Sequence, residues 1–260
     1  MKTKFCTAFF VATLLLSATI PPAFAQTAEK LNSDVAKSWE EAKVFVPGKT
    51  FPTTPSKVSV DKPLPVVIYL HGCTGISPDN DVRWGNFIKE AGYIAVLPNS
   101  MARPGRKPNC DPKKKKGGNF PQAHAMRQEE IQFAVEQLKN CAWADKKNIY
   151  LMGHSEGGIA AARNRLEGFR GIIISGWHCT NAENADFDGI FAPIDTPILT
   201  LEWNRDAWYA GTPRDGSCAN KFGERKKAHQ VLLNGTEHNT AWEREARDAV
   251  AQFLKENLAP

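Results

Sequence analysis

Residues 149–158 read Ile149-Tyr150-Leu151-Met152-Gly153-His154-Ser155-Glu156-Gly157-Gly158. The apolar run Ile149–Met152 predicts a buried strand, and it feeds directly into Gly-x-Ser-x-Gly. A helical pattern follows over Ile159–Leu166 and stops at Gly168. Strand, serine turn and helix in that order make a nucleophile elbow. Glycines two residues either side of the serine let the chain turn so sharply that the hydroxyl stands out at the top of the sheet. The helix that starts there turns its N-terminal N–H groups toward developing negative charge. Ser155 is therefore the candidate nucleophile. A chance match in a glycine-rich loop would lack the strand before it and the helix after it.

Working outward, strands and helices alternate. Val66–Leu70 is a continuous apolar run bounded by Pro65 and Gly72, which suits a strand buried on both faces. Residues 82–91 read as a helix ending at Gly92, and Tyr93–Leu97 as the next strand, closed by Pro98. Residues 98–121 read as an irregular, proline-rich loop, and 124–140 as a helix with apolar steps of three and four. Ile172–Ile174, Ile198–Trp203 and Val231–Leu233 are further strands, and Thr240–Leu258 is a closing amphipathic helix. This rhythm predicts an α/β fold with a mostly parallel central sheet and helices on both faces. Chemistry in such sheets gathers in the loops after the carboxyl ends of strands.

That rule selects the partners of Ser155. In this arrangement an acid and then a base follow the serine in the chain. His178 follows the strand at 172–174, and His229 precedes the last strand at the wrong end of the sheet. His238 lies just after the last strand, in Asn234-Gly235-Thr236-Glu237-His238, and is the candidate base. Asp206 follows the strand Ile198–Trp203 and is the candidate orienting acid. Glu202 is still inside that strand, and Asp186 and Asp188 lie one strand earlier as fallbacks. An oxyanion hole needs the N–H of Glu156 and a second one from the loop after an earlier strand. That loop reads Leu70-His71-Gly72-Cys73-Thr74-Gly75, which nominates the Cys73 N–H and leaves His71 to brace the loop. Trp177, Trp203, Trp208 and Tyr209 fall near the same rim and are candidates to line a substrate pocket.

Composition bounds the rest. The chain has 260 residues, 42% hydrophobic and 23% charged, which excludes a disordered chain or a coiled coil. A net charge of +5, dispersed along the chain, does not argue for nucleic acid. Lys113–Lys116 read as a solvated loop tip. Lys2 and Lys4, an apolar run Phe5–Ile20 and the site Ala23-Phe24-Ala25 form the pattern of a signal peptide over residues 1–25. The run is too short for the roughly 20 residues that span a bilayer. A secreted or periplasmic chain of about 235 residues is expected, with no stable membrane insertion. Residues 26–60 read as an arm with a possible edge strand near Val44–Val46, and 61–260 as a single catalytic domain, expected as a monomer. Losing Cys6 would leave five cysteines in an oxidising compartment, so at most two bridges and one free thiol. Cys73 and Cys110 follow neighbouring strands at the catalytic rim, as do Cys179 and Cys218. The expected bridges are Cys73–Cys110 and Cys179–Cys218, with Cys141 free and buried.

His71-Gly72-Cys73-x-Gly75, Trp84, Gly92-Tyr93, Leu97-Pro98-Asn99-Ser100 and Gly-His-Ser-x-Gly-Gly together resemble the α/β-hydrolase superfamily. Within it the chain resembles the dienelactone hydrolase family, in a secreted branch with a serine nucleophile, from about residue 62 to 255. Arg127-x-x-Glu130 is a weaker hint of the same kind. Strict dienelactone hydrolases carry a cysteine nucleophile where this chain has Ser155. The resemblance therefore implies hydrolysis of a small ester or lactone, not dienelactone itself, with no metal or organic cofactor. A serine peptidase or acyltransferase on the same residues is the alternative reading, as is a binding module that kept the fold. Turnover of p-nitrophenyl esters lost in Ser155→Ala would separate the enzyme from the module.

Overall fold

The computed structural model describes residues 33–117 and 121–260. The expected signal peptide lies outside the described residues. In chain order the strands are β1 (Lys43–Phe45), β2 (Leu64–Leu70), β3 (Ile94–Leu97), β4 (Cys110–Asp111), β5 (Lys116–Gly117), β6 (Ala144–His154), β7 (Ile172–Ser175), β8 (Ile198–Trp203) and β9 (Ala228–Leu233). The helices are α1 (33–40), α2 (Arg83–Glu90), α3 (Pro121–Asn140), α4 (Glu156–Arg163) and α5 (Arg244–Glu256). Seven strands form one sheet in the order β1-β3-β2-β6-β7-β8-β9. β1 pairs antiparallel with β3, and the other pairings in this sheet are parallel. The fold is the expected mostly parallel α/β sheet.

Alternation along β2 explains why its apolar run is unbroken. Val66, Ile68 and Leu70 pack toward Ile131, Leu138 and Ile159, whereas Val67 and Tyr69 pack toward Trp84, Ile88 and Val250. Both faces are covered, so every position favours an apolar residue. The burial contributes about 1.5–3 kcal/mol for each large side chain. On α5, Ala246, Val250, Phe253 and Leu254 are buried at steps of three and four. The same helix is polar on its outer side, which is what a one-sided cover requires.

Several boundaries differ from expectation. α4 begins at Glu156, directly after the elbow, because Gly157 and Gly158 are helical here despite their low propensity. It ends at Arg163, where Asn164 turns extended and buried. The N-terminal segment is less detached than an arm. α1 has no strong apolar period, yet Trp39 joins Val44 and Val46 in the main core. The long loop contains a small hairpin, β4–β5, with the lysine run at its tip.

Both expected bridges are present. The Cα atoms are 5.8 Å apart in Cys73–Cys110 and 4.8 Å in Cys179–Cys218. Cys141 is fully buried but, contrary to expectation, is not free: it is disulfide-bonded. Among the described residues no helix is long and apolar enough to cross a membrane.

Candidate active site

The elbow is as tight as its sequence demands. Ser155 sits at φ 57°, ψ −118°, a conformation a non-glycine residue adopts only under constraint. The constraint is supplied from both sides. Ser155 N–H donates to Ser175 O at 2.9 Å, and Ile159 N–H donates to Ser155 O at 2.9 Å. A Cβ on Gly153 would lie 2.0 Å from Gly157 O, and one on Gly157 would lie 2.1 Å from Leu70 O. Only glycine fits at either position.

Four loops at the carboxyl edge of the sheet meet around this serine. His238, after β9, donates from Nδ1 to Asp206 Oδ2 at 2.6 Å. Asp206, after β8, is fully buried, and its other oxygen accepts the Trp208 N–H at 2.9 Å. His238 Nε2 is buried and, among the described residues, has no hydrogen-bond partner. Ser155, Cys73, Trp208 and His238 line one cleft of about 340 Å³. The Cys73 N–H has no acceptor among the described residues. The Glu156 N–H is the first of α4, a position with no intrahelical acceptor. The Tyr209 hydroxyl donates to Gly176 O at 2.9 Å and also interacts with the Ser155 side chain.

The other candidates separate clearly. Trp208 lines the cleft, and Tyr209 lines a smaller cavity beside Ser155. Trp177 is fully buried in the core, edge-on to Tyr209, and does not line the cleft. Trp203 is buried too, its indole N–H donated to Asn239 O. Both belong to packing: Trp203 is the last residue of β8, and Trp177, two residues past β7, packs in the main core. Asp188 pairs with Lys221 and does not line the cleft. His178 Nε2 lies 3.1 Å from Trp203 O and braces the loop behind Asp206. His71 accepts the Ser100 N–H at 3.1 Å, bracing the Cys73 loop.

Sequence reasoning missed a buried ionic cluster beneath the elbow. Glu156 pairs with Arg106 and Arg127, and Arg127 pairs with Glu130. Arg127 also donates to the His71 carbonyl. Burial by itself would raise the Glu156 carboxyl, but the Arg127 and Arg106 guanidiniums hold it below the usual range. An acidic residue forced into the buried turn after the nucleophile was the available signal, since a buried charge needs a partner. His154 is kept neutral by burial and by its neighbour His238. Lys115, from the lysine run, lines the cleft and is not merely a solvated tip.

A parallel α/β sheet with an elbow serine, and an Asp–His pair held by the loops after its last two strands, defines an α/β-hydrolase. Residues 50–233 match the model of the dienelactone hydrolase family, and the chain belongs to that family. No curated protein sequence matches it. Many solved structures share its fold, among them the following three. Esterase 2 of Thermogutta terrifontis is 13% identical with TM-score 0.57, over 84% of this chain and 89% of that one. An S-formylglutathione hydrolase from Agrobacterium tumefaciens is 16% identical with TM-score 0.56, over 82% and 88%. Est1E from Butyrivibrio proteoclasticus is 16% identical with TM-score 0.54, over 84% and 94%.

Proposed function

We propose that this chain is an exported serine hydrolase that cleaves small carboxylic esters within one catalytic domain. The observation that carries the reading is the 2.6 Å contact from His238 Nδ1 to buried Asp206, with Nε2 left unpartnered beside a cleft that also holds Ser155. In this reading Ser155 Oγ attacks the ester carbonyl while His238 Nε2 takes its proton. Asp206 orients the imidazole and stabilises its charged form. The N–H groups of Cys73 and Glu156 hold the tetrahedral oxyanion, each worth about 3 kcal/mol in such sites. His238 then protonates the departing alcohol, and water releases the acid from Ser155.

Two bridges among the described residues support an oxidising compartment, as does the leader pattern of residues 1–25. The test is hydrolysis of p-nitrophenyl acetate by wild type, Ser155→Ala and His238→Ala. Loss of about 10⁴-fold or more in either variant, with an unchanged circular dichroism spectrum, is expected. Activity retained in Ser155→Ala would sink the proposal.

A further inference from the structure

Two spaces of very different size open onto Ser155. On the His238 side is the cleft of about 340 Å³, within the range of small-ligand pockets. Next to it, sharing Cys73, Ser155 and Trp208 with it, is a cavity of about 20 Å³ walled by the Cys73–Cys110 bridge, Ile159, Trp208 and Tyr209 and not lined by His238. A space of roughly 10–15 Å³ accepts one water-sized group, so this cavity accepts about one methyl. Its walls are not soft. The bridge fixes one side, and Tyr209 is anchored to Gly176 O at 2.9 Å. Ile159 is buried on α4, one turn past the elbow.

The chemistry proposed above assigns the two spaces. The departing alkoxide must receive its proton from His238, so the alcohol lies in the large cleft. His238 lines the cleft and not the small cavity, so the acyl carbon's substituent takes the small cavity. The cleft is polar: Lys115, Asp79, Glu237 and Asn239 line it, with Trp208 as a flat apolar face. Charges of both signs disfavour a substrate of strong net charge. Close donors and acceptors beside an indole favour a neutral molecule with several hydroxyl groups. Arg214 reaches the small cavity but is bonded to the Gly117 carbonyl at 2.7 Å, and the space leaves no room for an anionic acyl chain.

We infer that the substrates are acetate-sized esters of polyhydroxylated alcohols such as sugars, an inference that rests on the serine hydrolase reading. The Ser155 Oγ–acetyl bond forms as the sugar C–O–acyl bond breaks at the acyl carbon. The serine proton passes through His238 to the sugar oxygen. Water then gives its oxygen to the acetyl group and its proton, through His238, back to Ser155.

The test uses the purified chain with three p-nitrophenyl esters, acetate, butyrate and octanoate, and with glucose pentaacetate against ethyl acetate. Forcing surplus methylenes into a filled space is strongly unfavourable, so kcat/KM for acetate should exceed that for butyrate at least 30-fold. Ile159→Ala should raise the butyrate-to-acetate ratio at least tenfold. Glucose pentaacetate should exceed ethyl acetate at least tenfold in kcat/KM for acetate release. Equal rates on acetate and butyrate in wild type would overturn the acyl assignment, whether or not Ile159→Ala folds. A folded Ile159→Ala with an unchanged ratio would do the same. Equal rates on the sugar and ethyl acetates, or faster cleavage of a p-nitrophenyl hemisuccinate, would overturn the alcohol or charge assignment. No turnover of any ester, with no labelling of Ser155 by a methylphosphonate, would instead defeat the serine hydrolase reading itself.

Discussion

Glu202 shows how one buried carboxyl shapes the behaviour of its surroundings. It sits in β8 near Asp206, accepts the Cys218 N–H at 3.1 Å, and is pushed up to about 8 by burial. It is therefore protonated in the folded chain near neutral pH, but ionised once unfolding exposes it. That difference favours folding fully at acid pH, fades as pH rises from the ordinary glutamate range, and is gone above about 8. Glu202→Gln keeps the acceptor and removes the titration. It should leave the melting temperature unchanged at pH 4 and raise it at pH 8.5 by roughly 4–8 °C, on the order of 2 kcal/mol. An equal shift at both pH values would show that packing, not ionisation, is responsible. Glu202 was visible in the sequence only as a carboxylate inside a strand. Its neutrality depends on the burial that the sheet imposes.

At the scale of elements, the elbow is a three-way junction of β2, β6 and α4. Gly157 lies so close to the Leu70 carbonyl that a methyl group would have to displace backbone. Gly157→Ala should therefore cost more than 3 kcal/mol in urea unfolding, or prevent folding, whereas a helix normally gains from alanine. α3 is tied to this junction through Arg127 and Glu156. Glu156→Gln keeps the backbone N–H but leaves two buried guanidiniums under-compensated, a loss of about 3 kcal/mol. It should also lower kcat, because the ion pairs with Arg106 and Arg127 no longer hold in place the backbone that carries this proposed oxyanion donor, and a stopped-flow burst with p-nitrophenyl acetate would measure that. The periodicities of β2, α3 and α5 revealed these elements without the structure. The start of α4 and the whole of α1 were hidden, the first by two glycines and the second by its lack of an apolar stripe.

At the scale of the molecule, the bridges Cys73–Cys110 and Cys179–Cys218 close loops of nearly equal span, with sequence separations of 37 and 39. By chain entropy each contributes roughly 4 kcal/mol, so removing either should lower stability alike. Their positions differ. Cys73–Cys110 ties the proposed oxyanion loop to the lysine hairpin and walls the small cavity, whereas Cys179–Cys218 lies beside Glu202 and lines neither the cleft nor the small cavity. The double variant Cys73→Ser/Cys110→Ser should lose about tenfold in kcat, since misplacing a donor by about an ångström is costly. Cys179→Ser/Cys218→Ser should stay within threefold. Comparable losses of kcat in both would show that general loosening, not the placement of one loop, sets the rate.

The sequence by itself determined the sheet, the elbow and the chain order of Ser155, Asp206 and His238. These are local properties: an apolar run, glycines at fixed offsets, and a polar residue just past a strand end. Both bridges could be read because strand order puts the loops carrying those cysteines on one rim. The tertiary structure alone decided which rim residues face the cleft. It sent Trp177 and Trp203 into the core, brought Lys115 to the cleft wall, and paired Glu156 with Arg106 and Arg127. Those outcomes depend on long-range packing and on the cost of burying charge, neither of which leaves a period or a spacing along the chain.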